Sequence, residues 1–148
     1  MLPDMENSNE QQTRSEQQDP RVGPTVSLGV IALDTDDPRG LADFYAALLG
    51  WQVSRSDEDW IEVHPGGIAT PGVAGLAFQL VRDHQRPTWP SQERPQQLHL
   101  DLEVADLDEG ERFALSLGAE RAAEAGAEDT FRVFLDPSGH PFCLCRLD

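Results

Sequence analysis

The chain has 148 residues and a net charge of −16, with 27 Asp and Glu against 11 Lys and Arg. That length suits one domain large enough to bury a core without disulfides or a structural metal. The charge excludes a nucleic-acid partner, which needs clustered basic residues, and the absence of lysine excludes Schiff-base chemistry and a Walker-type phosphate loop.

Residues 1–25 are rich in Gln, Glu, Ser and Asn and nearly devoid of apolar residues. They cannot bury enough surface to offset the entropy of ordering, so a disordered acidic, polar tail is expected. The N-terminus lacks the basic-then-apolar order of a signal peptide, and no apolar run approaches the roughly 18–20 residues that cross a bilayer. A cytoplasmic protein without a membrane partner is expected.

From Val26 the character changes, and residues 26–148 read as a single domain. The run "VSLGVIALD" predicts a strand and "DDPRGLADFYAALLGW" a helix. Asp36 or Asp37 can cap it, Pro38 suits its first position and Gly50 its left-handed stop. Leu41, Phe44, Tyr45, Leu48 and Leu49 recur at helical spacing, so one face is buried. Three short strands follow in "WQVSRS", "DWIEVHPGG" and "GLAFQLVRD". The connector, residues 83–95, holds Pro87, Pro90 and Pro95, which favour an extended link.

The order then repeats. "QLHLDLEV" predicts a strand and "ADLDEGERFALSLG" a helix capped by Asp106 and stopped by Gly118. "AERAAEA", "DTFRVFLD" and "HPFCLCRL" predict three more strands, the last two joined by the turn "DPSG". Asp37 and Asp106 stand 69 residues apart and Gly50 and Gly118 stand 68 apart, so a βαβββ unit over 26–82 is duplicated over 96–148. Each helix can cover only one face of its small sheet. An α+β fold follows, in which two βαβββ modules form a curved mixed sheet around a cleft lined by alternate strand residues.

The paired units, with "LADFYAALLGW", "LHLDLEVADLD", "LGAE" and "DPSGHPFCLC", resemble the vicinal oxygen chelate superfamily, the glyoxalase, bleomycin-resistance and extradiol dioxygenase group. The resemblance covers residues 26–148 and is nearest to small glyoxalase-like members. It implies four cleft positions that ligate a divalent metal in metal-using members, falling here near Val30 and on Gln79, His99 and Cys143. His99 and Gln79 match that pattern, whereas Val30 and Cys143 depart from it. A complete metal site and a bound cofactor are therefore not expected, leaving His99, Gln79 and Cys143 as weak candidate ligands.

Alternation in "LHLDLEV" places His99, Asp101 and Glu103 opposite Leu98, Leu100 and Leu102, so the polar face is the expected cleft wall. His99 is the candidate base, its ordinary pKa lying near working pH, and Asp101 can fix its tautomer only if the strand bends. Trp60, on the polar side of "WIEVH", and Trp89, in the connector, suit a planar or cationic ligand in an acidic cavity. Gln79 and Cys143 complete the expected ligand-binding set.

His64 and His140 read as turn residues and His84 as solvent-exposed; Ser138 reads as a turn former. Cys143 and Cys145 share one side of a strand at about 6.6–6.8 Å between Cα atoms, and reduced thiols are expected. Two function classes remain open. One is a protein that binds a small molecule between the sheets; the other is a lyase or isomerase of glyoxalase type using His99 as base or metal ligand. A homodimer is the expected assembly.

Overall fold

The computed structural model describes residues 23–122 and 129–148. Residues 1–22 of the expected tail, and the 123–128 part of the expected strand and loop after Ala122, lie outside the described residues.

The first unit contains β1 (Val30–Thr35), α1 (Pro38–Leu49), β2 (Gln52–Ser56), β3 (Trp60–His64) and β4 (Gly75–Leu80). The second contains β5 (Leu100–Val104), α2 (Leu107–Ser116), β6 (Glu120–Arg121), β7 (Phe131–Leu135) and β8 (Pro141–Arg146). Each unit forms a four-stranded mixed sheet. Their strand orders, β1-β4-β3-β2 and β5-β8-β7-β6, are the same order carried out twice. In both, the first strand pairs parallel to the last and the remaining pairs are antiparallel.

The helix signals act as the sequence suggests. Asp37 accepts from the Gly40 N–H at 2.9 Å and Asp106 accepts from the Glu109 N–H at 2.8 Å. A Cβ at Gly40 would lie 2.2 Å from an Asp37 carboxylate oxygen, so a larger residue there would shift the capping side chain. Gly50 ends α1 in the left-handed conformation, with φ of 67°.

Strand limits differ from the sequence expectation most at the first strand of each unit and at β6. β1 starts at Val30, four residues after Val26, because its partner β4 begins at Gly75 and leaves 26–29 unpaired apart from the Gly75 N–H donating to the Gly29 carbonyl. Among the described residues of the expected strand "AERAAEA", Glu120–Arg121 form β6 and the Ala122 N–H donates to the Val133 carbonyl at 3.1 Å.

One core lies on the helix-bearing faces of both sheets. Leu33, Leu41, Phe44, Tyr45, Ile61, Val63 and Phe78 from the first unit join Leu107, Ala114, Phe134, Phe142 and Leu144 from the second. The Phe44 and Phe142 rings cross edge to face at 6.0 Å, so α1 packs on both units. Polar contacts reinforce the junction. The Thr35 and Ser138 hydroxyls lie 2.8 Å apart, and the Gln97 amide donates to the Asp34 carboxylate at 2.7 Å.

Candidate functional site

The faces turned away from this core carry the polar residues. On the second sheet, Asp101 sits level with Cys143 in the parallel β5–β8 pair. His99 lies two residues before Asp101 and just ahead of β5, where the ladder does not hold the chain. That position lets the His99 Nε2 reach the Asp101 carboxylate at 2.9 Å. β5 begins at Leu100 rather than at the expected Gln97, so the contact joins a residue before the strand to one within it. The His99 side chain is 33% exposed and that of Asp101 66%, so the pair opens to solvent.

Cys143, by contrast, is buried. Burial pushes its thiol up to about 12, and the charge and hydrogen bond of Asp101, with Cys145 nearby, add to the shift. At neutral pH the group is a neutral thiol and a poor nucleophile. Cys145 is raised by the same kinds of cause, burial first and then Asp101 and Glu103, and neither cysteine is in a disulfide.

The connector folds back over this wall. Trp89 packs with Ala122, Val133, Cys143 and Cys145 in a small apolar cluster separate from the main core. Beside it, Trp89, Ala122 and Leu135 line an open cavity of about 630 Å³. The second wall therefore combines an aromatic face, an imidazole–carboxylate pair and a buried thiol.

The first sheet presents a different set. The Trp60 indole donates to the Glu62 carboxylate at 2.6 Å, and Gln79 is exposed on the neighbouring strand, level with Trp60. Gln79 is also level with Asp34, whereas Val30 is level with Gly75. Val30 and Gln79 thus stand four residues apart in register, about 13 Å along the sheet. Val30 has no donor atom. The four-position metal arrangement implied by the family resemblance does not fit these residues. His99, Asp101 and Cys143 do come together, with one donor atom from each lying within 4.8 Å of the other two. No His, Cys, Asp or Glu of the first unit joins them among the described residues.

Three histidines behave differently from the sequence reading. His64 is buried rather than a turn residue: a bulge in β2 aims the Ser54 hydroxyl at its Nδ1, 2.6 Å away, and its ring occupies the space a Cβ at Gly75 would need. His140 is buried and donates through Nε2 to the Asp34 carbonyl at 2.7 Å. His84 is half-buried and donates to the Ser138 carbonyl at 2.9 Å. All three are fixed by partners distant in sequence, which no local pattern announces.

The "DPSG" turn carries a buried polar junction that sequence reasoning missed. Asp136 accepts from Tyr45 Oη at 2.7 Å and from the Ser138 and His140 N–H groups at 2.9 and 3.0 Å. Burial raises the Asp136 carboxyl, opposed by the His140 ring and these donors. Tyr45 is raised well above its ordinary value by burial first and then by Asp136.

A glyoxalase-like domain family model matches residues 30–145. No protein of curated function matches the chain in sequence. Among solved structures, a glyoxalase/bleomycin resistance protein/dioxygenase family enzyme from Burkholderia phytofirmans is similar at a TM-score of 0.61 and 16% identity, covering 83% of this chain and 100% of that one. A glyoxalase-related enzyme from Fulvimarina pelagi gives 0.57 at 21% identity, covering 83% and 88%. A bleomycin-binding protein complexed with bleomycin gives 0.53 at 19% identity, covering 84% and 100%. At these identities the structures establish the fold, while the family match spans most of the chain. The chain belongs to the glyoxalase-like domain family, with the glyoxalase/bleomycin resistance/dioxygenase fold.

Proposed function

We propose that this protein binds a small molecule against the uncovered face of its second sheet, with Trp89 supplying an apolar surface and His99 and Asp101 the polar contacts. One observation carries the reading. The connector brings an aromatic ring onto the same wall as an exposed imidazole–carboxylate pair, the usual composition of a ligand site: mostly apolar lining with few polar groups. The net charge of −16 favours cationic or planar aromatic ligands over anionic ones. Trp60 and Gln79 offer further contacts on the first sheet. That a relative in fold was solved with bleomycin is in keeping with small-molecule binding by the family.

A thermal-shift screen with cationic and planar aromatic metabolites tests this reading. A ligand present at 100 times its dissociation constant adds about 2.7 kcal/mol and raises the melting temperature by several degrees. If no compound of either class moves the transition, the binding reading fails.

The 2.9 Å contact between His99 and Asp101 favours a second reading, in which the carboxylate orients the imidazole as base for a lyase or isomerase reaction of glyoxalase type. A reaction found with a screened ligand should then be lost in His99→Ala and reduced in Asp101→Asn. Turnover that survives in both variants contradicts a base at this position.

Cytoplasmic location and a homodimer complete the proposal. No helix among the described residues is long and apolar enough to cross a membrane. Exposed Leu28 and Val73 border the uncovered face of the first sheet, where a second copy could bury them. Light scattering that gives twice the chain mass supports the dimer, and a monomer at micromolar concentration contradicts it.

A further inference from the structure

We infer that the outer edge of β5 receives an extended peptide segment of another protein, in which basic and apolar residues alternate. This goes beyond the small-molecule reading and does not depend on it. β5 ends its sheet and pairs only with β8. The Val104 carbonyl accepts from the Leu147 N–H, which fixes the phase of the parallel ladder. Leu100, Leu102 and Val104 turn their N–H and C=O groups toward β8, and Asp101 and Glu103 turn theirs outward. Among the described residues no hydrogen bond reaches those outward groups. β1, the counterpart of β5 in the first unit, is closed instead. The Thr35 carbonyl accepts from the Val81 N–H, so the groups of Asp34 point away from β4. Asp34 occupies the place of Glu103 in the duplicated unit; its N–H donates to Gln97 Oε1 at 3.3 Å and its carbonyl accepts from His140 Nε2 at 2.7 Å. One of the two equivalent edges is capped and the other is left open.

A groove beside the open edge selects the occupant. Leu48, Leu102, Val104, Phe113 and Leu144 line a cavity of about 250 Å³, and the exposed Asp101 and Glu103 complete its lining. Phe113 is 47% exposed, an unusual amount of aromatic surface left to water. The cavity is smaller than the roughly 300–1,000 Å³ of sites that enclose a whole small molecule, and suits one large side chain of a segment lying along the edge. Side chains of an added strand alternate as those of β5 do. Opposite Leu102 and Val104 they face the apolar cavity, and opposite Asp101 and Glu103 they face carboxylates. The complementary order is therefore basic, apolar, basic, apolar. The same carboxylates disfavour a second copy of this chain, since two β5 edges paired about a twofold would set like charges together in a protein of net charge −16.

The test titrates the full chain into a fluorescently labelled, end-capped peptide, Gly-Arg-Phe-Arg-Val-Gly, read by anisotropy at about 0.15 M salt, where loose surface attraction is screened. Binding should saturate at one peptide per chain. Hydrogen exchange of the Asp101 and Glu103 amides, followed by nuclear magnetic resonance, should slow at least tenfold in the complex. The reordered peptide Gly-Arg-Arg-Phe-Val-Gly should bind at least fivefold more weakly. Glu103→Arg and Phe113→Ser should weaken the first peptide by at least the same factor, with far-ultraviolet circular dichroism unchanged. The inference is overturned if binding does not saturate at millimolar protein, if the two amides exchange at the same rate with and without peptide, or if the reordered peptide binds equally well. It is also overturned if Trp89→Ala weakens the peptide and Phe113→Ser does not, which would put the peptide on the ligand face. Protection of the two amides that grows with protein concentration in the absence of peptide would make the occupant a second copy and overturn it as well.

Discussion

Tyr45 and Asp136 are joined by a buried 2.7 Å hydrogen bond between residues 91 positions apart. Removing the phenol in Tyr45→Phe leaves an Asp136 oxygen without that donor, so a loss of about 1–3 kcal/mol in urea unfolding at pH 7 is expected. The pH dependence has a definite sign. The folded pKa of Tyr45 lies above 10.0, so the bond's contribution is whole below about pH 10 and falls away as pH rises beyond it. Wild type should lose its advantage over Tyr45→Phe along that alkaline limb; a stability difference that stays constant to pH 11.5 contradicts the assignment. Gly75 gives a second residue-level case. A Cβ there would sit 2.4 Å from His64 Nε2, so Gly75→Ala should cost about 1–3 kcal/mol by overpacking, with part of the loss recovered in the double variant with His64→Ala. Additive losses in that cycle rule out the clash. Neither contact was legible in the sequence. "DPSGH" reads as a turn and "VHPGG" as a strand end, since nothing local says that a tyrosine, a serine or a distant glycine will meet them.

The connector is the element whose role was half legible. Its prolines announced an extended link, and Trp89 stood out as a large indole in a polar segment, but the place it covers depends on how the link returns over β7 and β8. It returns onto Val133 and Cys143. Trp89→Ala should therefore cost about 2 kcal/mol, less than a fully buried tryptophan, and open the wall. In a Cys145→Ser background, Trp89→Ala should make Cys143 react with a disulfide reagent at pH 8 far faster than when Trp89 is present, since exposure also removes the main cause of its raised pKa. Equal rates would place the indole elsewhere. β5 was more readable: the alternation in "LHLDLEV" assigned its polar and apolar faces correctly, and its leucines pack on the core. Its register against β8, which sets Asp101 beside Cys143, depends on long-range pairing and was not available from spacing.

Across the whole molecule, the duplication was the most legible feature, because caps and stops recur at nearly constant offset and each unit repeats the same strand order. How the units join was not legible. Phe44 with Phe142, Thr35 with Ser138 and Asp34 with Gln97 are pairs that no periodicity links. A core shared this way predicts one cooperative transition in urea, with tryptophan fluorescence and far-ultraviolet circular dichroism superimposing; two separated transitions would mean the units fold independently. The same joining turns the His99- and Asp101-bearing face of the second sheet away from the core, and ligand binding at that face is the central proposal. Its most direct measurement is isothermal titration of the strongest compound from the thermal screen into wild type, His99→Ala/Asp101→Asn and Trp89→Ala. Binding at this wall predicts dissociation constants raised at least tenfold, about 1.4 kcal/mol, in both variants. Unchanged constants in both, with intact circular dichroism, would place the ligand elsewhere and contradict the account.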